Sequence, residues 1–161
     1  MALRVVTQGA EETRSLGEAL GGLLGAGDVV TLSGEMGSGK TTLAQGLGRG
    51  LDVSEPVCSP TFALVQEYAG RLPVWHLDTY RVASPDELLD LGWAELMQGE
   101  GVVLIEWPER IAAALPPARL DISLAGDREE RVIELRAEGV RMEDRLAALA
   151  RRLPESLKNG G

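Results

Sequence analysis

The run Gly34-Glu35-Met36-Gly37-Ser38-Gly39-Lys40-Thr41 satisfies G-x-x-x-x-G-K-[ST] at every required position, directly after the apolar stretch Val29-Val30-Thr31-Leu32. Glycines at this spacing let a backbone fold into a concave nest of N–H donors that fits a β-phosphate. Lys40 adds a compact charge for the β- and γ-phosphates, and a Thr41 hydroxyl is suited to magnesium. A helix starting at the loop turns its own unpaired N–H groups on the same anion. The expected nucleotide cradle is therefore Glu35, Met36, Gly37, Ser38, Gly39, Lys40, Thr41 and Thr42. Among sixteen Lys and Arg residues only Lys40 and Lys158 are lysines, so a chain built on arginine keeps lysine where a point charge is needed.

Such a loop calls for a carboxylate at the end of a neighbouring buried strand. Glu106 follows Val102-Val103-Leu104-Ile105, and Asp78 follows Leu72-Pro73-Val74-Trp75-His76-Leu77. Either acid can hold magnesium or orient water, and spacing alone does not divide the two roles. Between the loop helix and Asp78 lies Cys58-Ser59-Pro60-Thr61-Phe62, where nucleotide switches carry a hydroxyl that senses the γ-phosphate. Ser59 and Thr61 are the candidates, although a Ser-Pro turn opening a strand accounts for the same residues. His76, in an extended apolar run, reads as a structural, hydrogen-bonded histidine rather than a general base. Trp107 reads as a buried aromatic at the sheet edge, or as a surface for stacking on a partner or a base.

The elements that must carry these residues follow from periodicity. Strands are expected at Leu3 to Thr7, Asp28 to Ser33, Val102 to Ile105, Leu120 to Leu124 and Arg131 to Arg136, and a β-hairpin from Thr61 to Leu77 around Ala69-Gly70-Arg71. Helices are expected at Glu11 to Leu24, Lys40 to Leu51, Glu109 to Leu115 and Met142 to Leu153. A further helix is signalled by the capping box Ser84-Pro85-Asp86-Glu87, running to about Leu91. The result is an α/β P-loop domain with a central, mostly parallel sheet, a hairpin insertion and flanking helices. It is expected to span residues 1–140, with a C-terminal helical tail over 141–161.

The 161 residues suit one domain without room for a helical lid. A net charge of −9 disfavours direct gripping of a nucleic-acid backbone, DNA included. Cys58 is the single cysteine, so no internal disulfide forms. Without a leader or an apolar run of about eighteen residues, a soluble cytoplasmic protein with no membrane partner is expected.

Four linked motifs carry a resemblance: Gly34 to Thr42, Ser59-Pro60-Thr61-Phe62 with Leu64-Val65, His76-Leu77-Asp78 with Tyr80-Arg81, and Leu104 to Glu109. In order and spacing they resemble the bacterial TsaE proteins, also called YjeE, from the first helix to about Leu135. The resemblance implies a small magnesium-dependent ATPase needed for threonylcarbamoyladenosine modification of tRNA. It implies low activity alone, action on a complex of TsaD and TsaB, and contact with tRNA only through those partners. It assigns Lys40 to the phosphates, Thr41 and Glu106 to magnesium, and Asp78 to hydrolysis. Ser59 to Phe62 becomes a switch, Trp107 lies at the nucleotide or partner face, and adenine contacts fall around Thr7 to Glu11. Residues after about Arg141 lie outside it. The alternative is an autonomous small-molecule or nucleotide kinase, for which no arginine-bearing lid is evident between Glu106 and Pro117. A GTP switch is disfavoured because no Asn-Lys-x-Asp run occurs.

Overall fold

Seven strands form one sheet in the order β1-β7-β6-β2-β5-β4-β3. The computed structural model describes residues 1–35, 37–57, 65–80, 82, 86–90, 92–126 and 128–158, with the side chains of residues 89, 90 and 110 left aside. Met36, the whole Cys58 to Leu64 segment with Ser59, Thr61 and Phe62, Arg81, Ser84-Pro85 and Leu91 therefore lie outside the described residues.

The strands are β1 Ala2–Gln8, β2 Val29–Ser33, β3 Val65–Ala69, β4 Pro73–Asp78, β5 Val102–Glu106, β6 Arg119–Ala125 and β7 Glu130–Glu138. The four central strands β6, β2, β5 and β4 run parallel. Both flanks are antiparallel: β3 hairpins back on β4, and β7 pairs with β6 on one side and β1 on the other. The central sheet is parallel as its residues suggested, because Val102-Val103-Leu104-Ile105 has no polar face to turn to water. Period-2 alternation divides these side chains between two cores. Val30, Leu32, Val102 and Leu104 join the main core, whereas Val29, Val103 and Ile105 join a smaller one on the other face.

The main core is covered by α1 Ala10–Gly21, α2 Lys40–Gly50 and α5 Val140–Arg152. The last of these buries Met142, Leu146 and Leu149 in the same cluster as Leu16, Leu20 and Leu47. The opposite face carries α3 Asp86–Asp90, α4 Trp93–Met97 and a 3-10 segment at Pro108–Ala114. Three details differ from expectation. The first helix stops at Gly21 rather than Leu24, although Leu24 still reaches the core. The helix expected after Pro108 is wound as 3-10. Helix α4 was not foreseen: Gly92 at φ 71° reverses the chain after α3, and five residues resume.

Glycine in α2, unfavourable for an isolated helix, has a packing reason here. A Cβ added to Gly46 would lie 2.3 Å from the Arg14 carbonyl oxygen, and one at Gly17 of α1 would lie 2.6 Å from that of Leu43. The two helices thus touch backbone to backbone.

Candidate functional site

β2 delivers the chain to Gly34, and the loop returns through Gly37 and Gly39 to the first turn of α2. These three glycines have φ of 152°, 82° and 103°, values that L side chains rarely adopt. At Gly34 space is closed as well, since a Cβ would meet Ser38 Oγ at 2.5 Å and the Leu124 carbonyl at 2.6 Å. The motif glycines are therefore required by backbone geometry. Gly37 and Gly39, with the first turn of α2, border a cavity of about 370 Å3, whose lining includes Lys40, Thr41, Thr42, Asp78, Glu106 and Trp107.

Strand register explains the meeting of the two acids. β4 and β5 are adjacent and parallel, with Asp78 opposite Glu106, so two carboxylates 28 positions apart in sequence end side by side at the carboxyl edge of the sheet. Glu106 is 3% exposed and is held by His76, whose Nε2 lies 2.9 Å from Glu106 Oε2. His76 is itself fully buried. With Nε2–H donating to the carboxylate, Nδ1 is an acceptor, and it has no partner among the described residues. The histidine read from sequence as structural is thus hydrogen-bonded, and its partner is a candidate site residue.

The chain beyond Glu106 is clamped. The Thr79 hydroxyl donates to the carbonyls of Glu106 at 2.7 Å and Trp107 at 2.6 Å, and the Trp107 amide donates to Leu32 at 3.2 Å. Trp107 is thereby kept at φ 61°, ψ 50°, a left-handed conformation that costs a bulky residue about 1–3 kcal/mol. This bend turns the indole onto Lys40, whose Nζ lies 3.6 Å from the ring centroid. Tyr80 packs on the same indole with ring centroids 5.0 Å apart. Lys40 Nζ also donates to the Gly34 carbonyl at 2.5 Å.

Burial pulls the Lys40 pKa below the usual lysine value, and the charges of Glu106, Glu109 and Asp78 partly offset that fall. Glu109, read from sequence only as a helix-start residue, thus belongs to the field around the loop lysine. Asp78 accepts the Tyr80 amide at 3.0 Å. Among the described residues no cluster of three or more His, Cys, Asp and Glu side chains is arranged to hold a metal alone. The oxygens of Thr41 and Glu106 suit magnesium, which takes few protein ligands beside substrate phosphates and water.

Of the residues singled out from sequence, Glu35 lines not this cavity but a neighbouring one, with Gly34 and Ser38. Met36 and Thr61 lie outside the described residues. Sequence reading missed Thr79 and Arg131; the latter enters the loop cavity from β7. Only the strand pairing could have revealed either. A second cavity of about 380 Å3 lies against β2, β6 and the 3-10 segment, lined by Thr31, Asp121, Arg119 and Glu134 among others. It is as large as the first, and residues of strands and the 3-10 segment rather than of the glycine loop line it. Among the described residues no helix is long and apolar enough to cross a membrane.

Comparison with known proteins places the chain in a family. The family described as "Threonylcarbamoyl adenosine biosynthesis protein TsaE" matches residues 7–133. A Treponema pallidum relative named tRNA threonylcarbamoyladenosine biosynthesis protein TsaE is 43% identical over 122 residues, covering 76% of this chain and 90% of its own. A Bacillus subtilis relative of the same name is 43% identical over 140 residues, covering 85% and 87%. The crystal structure of Bacillus subtilis YdiB superposes with a TM-score of 0.79 at 36% identity, covering 94% of this chain and 95% of that one. The chain belongs to the TsaE family.

Proposed function

We propose that this chain binds and hydrolyses ATP with magnesium as an accessory component of tRNA threonylcarbamoyladenosine biosynthesis, cycling a complex of TsaD and TsaB. The observation that carries this reading is the cavity in which the loop, Lys40 and Thr41 face the paired acids Asp78 and Glu106. The family to which the chain belongs, and the names its relatives bear, supply the pathway.

The loop amides and the α2 N-terminus hold the phosphates, and Lys40 leaves the indole to neutralise their charge. Thr41 and Glu106 would hold magnesium, which would supply further neutralisation of phosphate charge. His76 keeps the Glu106 carboxylate pointing at the cavity, and Asp78 orients the attacking water. Occupation of the cavity displaces the contacts among Lys40, Trp107 and Tyr80, and so reorders the surface offered to the partner complex. Hydrolysis then reverses that order, so tRNA is reached only through the partners.

The test is ATP turnover by the purified chain, alone and with TsaD and TsaB, each with and without magnesium. Slow turnover that rises sharply with partners and requires the metal is expected. Turnover indifferent to the partners would favour a kinase with its own acceptor.

A further inference from the structure

Among the described residues the smaller core takes in side chains of β2, β4 and β5 but none of β6, β7 or β1. Where that cover ends lies the second cavity, of about 380 Å3, with the 3-10 segment as its wall. Strand register lays its floor in two rows. Thr31, Asp121 and Arg136 form one, and Ser33, Ser123 and Glu134 form the next, nearer the phosphate loop; rows two residues apart are separated by roughly 7 Å. The first row is partly locked. The Thr31 hydroxyl, buried in β2, donates to Asp121 Oδ1 at 2.6 Å. Arg119 Nε donates to both Asp121 oxygens at 2.9 and 3.1 Å, and its Nη1 to the Pro116 carbonyl at 2.9 Å. Arg136 and Glu134 on the floor, and Glu109 on the wall, have no hydrogen-bond or ion-pair partner among the described residues.

We propose that this cavity is a second ligand site, for a small zwitterion of amino-acid or dipeptide size, with its carboxylate on Arg136 and its ammonium between Glu134 and Glu109. Asp121 is already taken by Arg119 and Thr31, so it does not compete for Arg136. What is left is a free guanidinium in one row and free carboxylates in the other row and on the wall. A plain anion would meet Glu134, and a plain cation would meet the two arginines; a dipolar molecule satisfies both ends, with the hydroxyls of Ser33 and Ser123 between them. The wall also links this site to the phosphate loop. The Pro108–Ala114 segment starts directly after Trp107, whose indole meets Lys40, and Glu109 is one of three acids acting on that lysine. An ammonium beside Glu109 offsets a negative charge near the loop, so zwitterion and triphosphate should each favour the other's binding. That coupling rests on the ATP-binding reading above, whereas the site itself does not.

The competing role is bland: these charges merely keep an uncovered antiparallel flank in water. Amide NMR of the isotope-labelled full chain separates the two, with glycine, γ-aminobutyrate and diglycine as probes and acetate and methylammonium as single-charge controls. At least one zwitterion should give saturable shifts at Thr31, Ser123 and Arg136 with a Kd at or below about 1 mM, the range of a few charge-assisted contacts. The controls should bind at least about 10-fold more weakly. Arg136→Ala and Glu134→Gln lie on the surface and should fold as wild type, and each should weaken the zwitterion roughly 10-fold. The proposal is overturned by the absence of saturable shifts from all three zwitterions, by an equal response to acetate, or by shifts that survive both variants. Calorimetry with a non-hydrolysable ATP analogue and magnesium then reads the coupling. Saturating zwitterion should tighten the analogue by roughly 2- to 5-fold, a modest gain because Glu109 is exposed, and Glu109→Gln should abolish it. No gain removes the link through Glu109 and leaves the site. If the wild-type chain binds no nucleotide, the ATP reading falls and the coupling with it, while the amide shifts still decide the site.

Discussion

Two of the buried charges among the described residues, Asp28 and Lys40, are treated in opposite ways. Asp28, fully buried at the entrance to β2, meets Arg145 at 2.5 Å and Arg141 at 3.1 Å, both from α5, and accepts the Gly25 amide at 2.7 Å. Lys40, 7% exposed, rests on one carbonyl and the face of an indole. Among the described residues it has no carboxylate within salt-bridge distance, although three acids act on it from further away. A buried charge with matched partners is a fastener, which here ties the last helix to the sheet. A buried charge given only weak, displaceable partners is held ready for a ligand, and the pull on its pKa records the cost of keeping it so.

That contrast can be broken most forcefully at Lys40. Lys40→Met should lower ATP and ADP affinity by roughly 100-fold or more, the loss expected of a charged hydrogen-bonding partner to phosphate, as read by calorimetry. The same variant should melt no earlier than wild type without nucleotide. The sign follows from the lowered pKa: the native state binds fewer protons than the unfolded chain in the alkaline range. Stability contributed by this group therefore rises with pH through that range, and at neutral pH the charged lysine costs the fold. A marked drop in melting temperature would mean that Lys40 is a fastener after all.

Glu106→Gln comes next. The His76 hydrogen bond has an acceptor in either side chain, so the fold should persist while partner-stimulated turnover falls by about 100-fold, the scale of losing an electrostatic catalytic group. ADP affinity should change only a few-fold, and full turnover would remove Glu106 from the chemistry. Arg145→Ala addresses the fastener: it should destabilise the chain by about 2 kcal/mol, below the full cost of an unpaired buried charge because Arg145 is 24% exposed. Chemical denaturation measures this, and nucleotide affinity should not move. The smallest effect is expected from Arg141→Ala, at or below about 0.5 kcal/mol, since Arg141 is 56% exposed and screened by water. If Arg141 proved the costlier loss, the ion pair would be ranked wrongly.

Much of the site was legible because its signals are local. The loop motif needs its neighbours only for context, and four apolar residues before Glu106 announce a strand buried on both faces. The hairpin at Ala69-Gly70-Arg71 was legible for the same reason, and Ala69 does face Pro73 across it. What escaped notice depends on partners distant in sequence. His76 reaches Glu106 only because β4 lies next to β5, and Thr79 clamps Trp107 for the same reason. Arg131 reaches Gly37 because β7 folds back on β6 at the loop side of the sheet. The glycines of α2 looked like a weakness of the helix until α1 was seen packed on its backbone.

By itself, then, the amino-acid sequence determined where the glycine loop turns, where strands and most helices begin, and which acids stand at strand ends. These follow from backbone conformational limits and side-chain period, which act over a few residues. The tertiary structure alone decided which strands are neighbours, and hence that Asp78 and Glu106 share an edge, that Asp28 is fastened while Lys40 is not, and that an arginine from β7 completes the wall of the cavity. Strand order and register are set by the burial of whole faces, a sum over the entire chain that no short segment contains.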